Sequence, residues 1–133
     1  MIYAVIDTNV LVSAYLTHNL SSATSKVVDA LFRGRICPLY NAEIMSEYEE
    51  VLSRPHFRIG SEQLETLMAY IWKHGVATER TPSEDLFVDE DDRVFYEVAF
   101  TEEDSFLVTG NLKHYPVDPS VVCPAQMVAI LEG

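Results

Sequence analysis

The chain has no run of basic residues. Nine Lys and Arg stand against 21 Asp and Glu in 133 residues, for a net charge of −12. Proteins that hold nucleic acid by displacing counterions from phosphates carry a basic patch, so strong nonspecific binding of that kind is argued against. An enzyme that meets phosphates through bound metal ions is not. Cysteine is also scarce. Cys37 and Cys123 are far apart, each beside a proline, and read as two buried thiols of a reducing cytosol rather than a disulfide framework. The four histidines are scattered, and no Cys–His set has zinc spacing. Neither GxxxxGK[ST] nor GxGxxG occurs, so a glycine loop for nucleotides is not indicated. No apolar run is long enough to cross a bilayer. The opening MIYAVID has no basic n-region or cleavage site, so the expectation is a cytoplasmic protein with no membrane partner.

What is present is an ordinary globular composition, 48% hydrophobic, at a length that fits one domain over residues 1–133. Short apolar runs alternate with helical patterns. IYAVI at 2–6 and ICPLY at 36–40 read as strands. Residues 22–33 carry an apolar stripe stopped by Gly34, and Asn41 caps a helix through about residue 53, ended by Pro55. Ser61 is placed to cap a third helix, with Leu64, Leu67, Met68, Ile71 and Trp72 on its apolar face. Gly75 is expected in a left-handed position at its end, followed by a short strand at 76–78. The polar stretch TERTPSED leads to a helix over about 91–102. FLVT is a further strand, and a last short strand at 121–123 precedes a helix opened by Pro124. This alternation predicts an α/β fold: a mostly parallel sheet of four to five strands in a three-layer α/β/α sandwich. Ligands of such sheets bind beyond the carboxyl ends of the strands. Two strands end in polar groups there, IYAVI in Asp7-Thr8-Asn9 and FLV in Thr109-Gly110-Asn111.

Acidic residues recur at the corresponding places. Asp7 follows the first strand, where an Asp also suits a helix N-cap. Glu47 stands at the edge of the apolar stripe formed by Ile44, Met45, Tyr48, Val51 and Leu52, while Glu49 and Glu50 point away. Asp89, Glu90, Asp91 and Asp92 open the next helix. A helix N-terminus favours acids, but four in a row repel one another unless a cation shares their charge. Periodicity does not choose between Asp91 and Asp92. Oxygen ligands from Asp7, Glu47, Asp91 or Asp92 and Asn111 suit Mg²⁺ or Mn²⁺, ions that can generate a nucleophile for in-line attack at phosphorus.

VIDTNVLVSA at 5–14, SEYEEVLSRP at 46–55, DEDDRVFYEVA at 89–99 and FLVTGNLKHYP at 106–116 together resemble the PIN-domain family, and more narrowly the PIN toxin-like ribonucleases of prokaryotic toxin–antitoxin systems. The resemblance runs over nearly the whole chain. It implies an α/β/α sandwich and metal-dependent cleavage of single-stranded RNA. It assigns Asp7 as the first acid and Glu47 as the second. Asp92 becomes the third, because the family's small alanine falls seven residues later and Ala99 stands there. Thr109 matches the Ser/Thr ending the fourth strand. Asn111 stands where many members have a fourth acid, which bears on a second metal position.

The expectation is therefore a Mg²⁺- or Mn²⁺-dependent endoribonuclease. Asp7, Glu47 and Asp92 are its metal ligands and catalytic acids. Thr8, Asn9, Asp89, Asp91, Thr109 and Asn111 support them, and Lys113 and His114 are phosphate contacts. A cognate antitoxin and a homodimer go with that resemblance. Two other readings stand beside it. A noncatalytic PIN-like interaction module would share the fold. A phosphoacceptor signalling domain would need adjacent acids after the first strand, where Asp7 is followed instead by Thr-Asn.

Overall fold

In the computed structural model, which describes residues 1–133, a five-stranded sheet carries the molecule. The strands are β1 (Ile2–Ile6), β2 (Ile36–Tyr40), β3 (Val76–Ala77), β4 (Phe106–Val108) and β5 (Val121–Val122). Their order is β3-β2-β1-β4-β5 and every pairing is parallel. Six helices join them: α1 (Thr8–Leu16), α2 (Ala23–Phe32), α3 (Ala42–Leu52), α4 (Ser61–His74), α5 (Arg93–Ala99) and α6 (Pro124–Glu132). The chain moves outward from β1 to β3, then jumps back across the sheet to β4. Right-handed crossovers in opposite directions put their helices on opposite faces. Ala4, Val5 and Ile6 are accordingly all buried, as a central strand covered on both faces requires. The anticipated α/β/α sandwich is the observed fold. No helix is long and apolar enough to cross a membrane.

Local chemistry explains most boundaries. Asn41 Oδ1 accepts the Ile44 N–H at 2.8 Å and starts α3, and Ser22 Oγ does the same for Ser25 at 3.2 Å in α2. Gly34 ends α2 in the left-handed region at φ 76°. Gly75 does not adopt the left-handed form expected of it; its φ is −80°. A Cβ there would lie 2.6 Å from the Ile71 carbonyl oxygen and 2.7 Å from that of Pro38, so close approach of α4 to β2 is what demands glycine. The N-cap of α4 is Gly60 rather than Ser61, with Gln63 Oε1 accepting the Gly60 N–H at 3.1 Å. The helix expected over 91–102 is shorter. A 3₁₀ turn at Glu90–Asp92 precedes α5, and a tightened bond from Thr101 N–H to Val98 O closes it. Both cysteines are free and half-buried.

Fully buried side chains such as Leu11, Ile44, Leu67 and Leu107 each contribute roughly 1.5–3 kcal/mol. Surface pairs such as Arg33–Asp29 and Arg54–Glu50 contribute roughly 0.3–0.5 kcal/mol. The core, not the surface charges, holds the frame on which the site rests. One buried ion network is an exception. Glu97, 5% exposed, accepts from Arg80 Nε at 2.7 Å and from the Ser83 N–H at 2.9 Å. Arg93 donates to the Ser83 and Asp85 carbonyls and stacks its guanidinium over Phe87. These bonds strap the irregular segment between β3 and α5 to the body and set Phe87 edge-on against Tyr115.

Candidate active site

The order in which the chain lays down its parallel strands reverses between β1 and β4, and a crevice opens at the carboxyl ends of the strands at such a switch point. The register pairs Ile6 with Val108, so the residues after them meet. Asp7 donates its N–H to the Val108 carbonyl at 2.9 Å, and Thr109 Oγ1 donates to Asp7 Oδ2 at 2.9 Å. Asp7 occupies the N-cap position of α1 yet makes no capping bond with its side chain. That carboxylate is turned instead toward β4. Tyr115 OH donates to the same Oδ2 at 2.8 Å, and Asn9 Nδ2 does so at 3.3 Å. All three side-chain donors converge on Oδ2 and none on Oδ1.

Glu47 reaches this place because Tyr48 anchors its helix. The buried Tyr48 hydroxyl donates to the Ile6 carbonyl at 2.5 Å, docking α3 on the end of β1. The half-buried Glu47 then accepts from the hydroxyl of Thr8, the neighbour of Asp7. On the far side of the crevice, Asp92 Oδ2 lies 3.0 Å from His114 Nδ1. Asp91 is exposed and lines an open concavity of about 520 Å³ together with Glu43, Ser46, Glu47 and Glu50. The two candidate Asp residues thus divide, Asp92 toward His114 and Asp91 toward Glu47.

Electrostatics join these groups. Burial is the main cause that pushes the Asp7 carboxyl above its ordinary value, against the lowering effect of the Tyr115 and Thr109 hydroxyls. Glu47 is raised by burial, less its bond from Thr8, and then by the charges of Asp7, Asp91 and Asp92. Asp92 is raised by burial and by Asp7, with His114 opposing. Tyr115 and Tyr48 are held firmly protonated by burial and by Asp7, so both remain donors. No Lys or Arg is paired with Asp7, Glu47 or Asp92; the salt bridges of this region hold only His114. As they stand, however, no three His, Cys, Asp or Glu side chains come close enough to enclose an ion.

The remaining candidates sort by contact. Asn9 Oδ1 accepts the Gly110 N–H at 2.9 Å and so clamps the TGN loop to α1. Asn111 donates its backbone N–H to Thr109 Oγ1 at 3.0 Å, while its side-chain amide bonds nothing in the chain. Asp89 serves its own turn: Oδ1 accepts the Asp91 N–H at 3.0 Å. Lys113 is exposed in the Leu112–His114 turn. His114 is not a free loop residue, since Asp92 holds it. Sequence reasoning passed over Tyr115 and Tyr48, which fix Asp7 and the end of β1. An apolar-stripe assignment hid the Tyr48 hydroxyl, and the run Lys113-His114-Tyr115-Pro116 drew attention to its cations alone.

A profile of the PIN domain matches residues 3–113, a span that takes in Asp7, Glu47, Asp92 and Asn111 and stops just short of His114 and Tyr115. No curated protein matches the chain. The matched span covers most of the chain and includes the sheet's switch point with the acids around it, and on that ground the chain belongs to the PIN domain family, whose fold is typically that of a nuclease.

Proposed function

We propose that the protein is a Mg²⁺- or Mn²⁺-dependent endoribonuclease for single-stranded RNA. The observation that carries this is that Asp7, Glu47 and Asp92, from three separate segments, face one crevice at the end of β1 without a Lys or Arg paired to any of them. Their donor atoms are all oxygens, which fits a hard divalent ion. Asp7, through the Oδ1 left without a side-chain donor, and the carboxylates of Asp92 and Glu47 are the groups that would hold it. Bound there, such an ion would supply charge neutralisation at a phosphate and a more acidic water.

The chain's own groups do the positioning. Thr109, Tyr115 and Asn9 fix the Asp7 carboxylate through Oδ2. Thr8 orients Glu47. The free Asn111 amide offers an N–H donor to a phosphate oxygen, which an acid at that position could not. Lys113 stands nearby for the strand's backbone. Being neutral, Asn111 weakens any second ion position, so one resting ion is the expectation. Resemblance to the toxin-like members supports a cytoplasmic toxin with an antitoxin that covers the acidic cleft, and a homodimer.

Purified protein incubated with labelled single-stranded RNA tests the reading. Cleavage in Mg²⁺ or Mn²⁺ that EDTA abolishes supports it; no cleavage under any divalent ion contradicts it. The latter result would favour the noncatalytic interaction module, for which the neutral Asn111 and the ungathered acids speak. For the toxin role, growth arrest on expression should be relieved by a small neighbouring gene and absent with Asp7→Asn.

A further inference from the structure

A groove of about 650 Å³ lies beside the acidic concavity, at the carboxyl ends of β2 and β3. The two share Ala42 and Glu43. Glu43 precedes Glu47 by one helical turn, about 6 Å along α3. The groove is therefore continuous with the acidic concavity along α3. Three of its groups have no part in the site described above. Trp72, expected on the buried face of α4, is instead 56% exposed. Its indole packs edge-on against Tyr40 at 5.1 Å between centroids, which holds the ring while leaving it open. Asn41 spends Oδ1 on its helix, so its NH₂ is free. Arg80 is gripped by Glu97 through Nε at 2.7 Å and by Glu43 through Nη1 at 2.9 Å, and its Nη2 has no partner.

We propose that this groove is a subsite for one nucleobase of the RNA strand flanking the scissile phosphate, a proposal that rests on the ribonuclease reading. The base stacks on Trp72, the Asn41 amide meets its edge, and Arg80 Nη2 meets a neighbouring backbone phosphate. Aromatic stacking beside a fixed cation is how single strands are held without base pairing. In a chain of net charge −12, diffuse attraction of phosphates is weak, so stacking and a few fixed donors must supply affinity. A guanidinium locked by two carboxylates also loses little freedom on meeting a phosphate.

Trp72 is the sole tryptophan, so its emission reports on this groove alone. The probe is a short oligoadenylate added in Mg²⁺ to the Asp7→Asn protein, which should bind without cutting. Saturable quenching of Trp72 emission is expected, tracking the anisotropy of a labelled copy. In the otherwise native enzyme, Trp72→Leu should raise KM roughly ten-fold or more, with the loss in KM rather than kcat. Trp72→Phe should recover part of it. If the oligonucleotide binds by anisotropy while Trp72 emission is unmoved, the subsite is wrong and the ribonuclease reading stands. If the parent neither binds nor cuts RNA, both fall together. Should Trp72→Leu fail to fold, the emission titration decides alone.

Discussion

Replacing Asp7 with Asn should make the metal-free protein more stable, although Asp7 is buried and bonded by three side chains. Two effects oppose each other. A charge strengthens the bonds from Thr109, Tyr115 and Asn9, and hydrogen bonds to charged groups are worth roughly 1.5–3 kcal/mol against roughly 0.5–1.5 for neutral ones. Burial without a cation penalises the charged form. The net direction of the Asp7 shift is upward even with those donors counted, so burial outweighs the donors and the charged form is less favoured in the folded state than in the unfolded chain. Asn mimics the neutral form and keeps an oxygen for the same donors. Single stabilising substitutions commonly gain about 0.5–2 kcal/mol. For a domain of this size that is a rise of roughly 2–8 °C in melting temperature. Metal should reverse the order, since an ion binding only the native cluster stabilises the parent by about 2.7 kcal/mol at about 100 times its Kd. The assay is thermal unfolding of parent and variant in EDTA and in Mg²⁺. A variant less stable than the parent in EDTA would show that the hydrogen bonds to the charged carboxylate outweigh its burial.

Further expectations concern neighbouring groups. Asp7, Glu47 and Asp92 all have raised folded-state values, so the folded chain binds more protons than the unfolded one once pH exceeds the ordinary 3.8 to 4.5. Metal-free stability contributed by their protonated forms is complete below that range and is lost as pH climbs through the raised values; unfolding in denaturant across pH should show the decline, and Mg²⁺ should flatten it. Tyr115→Phe keeps the ring against Phe87 but removes the donor to Asp7 at 2.8 Å, so kcat/KM for RNA should fall roughly 10- to 100-fold with the fold intact by circular dichroism. Glu97→Ala leaves Arg80 without its buried partner and frees the Ser83 N–H. Because Arg80 is 30% exposed, the loss should sit at the lower end for a broken buried pair, about 3 kcal/mol in chemical denaturation.

The sheet and most helices were legible because apolar periods and caps are local signals: IYAVI, Asn41 and Gly34 each do what their chemistry dictates. Gly75 escapes such signals because its reason is a close approach to β2, distant in sequence, rather than a backbone angle. Periodicity puts Trp72 on the apolar face of α4, but it does not show that the ring meets only the edge of Tyr40 at the end of β2 and stays open. At the site, the identity of Asp7 was visible, but its orientation was not. The same residue could have capped α1, and only the pairing of β1 with β4 brings Thr109 and Tyr115 to it. Periodicity left Asp91 and Asp92 open because both lie on the same turn, and their division between Glu47 and His114 depends on the 3₁₀ geometry there. The strap from β3 to α5 has no periodic pattern at all; buried Glu97 organises it, and a Glu on a helix carries no mark of burial in sequence.

If the protein is a metal-dependent nuclease, Asp7, Glu47 and Asp92 act as one site. The most direct measurement is the rate of single-stranded RNA cleavage in Mg²⁺ by the parent and by Asp7→Asn, Glu47→Gln and Asp92→Asn, each shown to be folded. The expected result is cleavage by the parent that EDTA stops and near-complete loss in every variant. Variants that cut RNA at the parent's rate would contradict it.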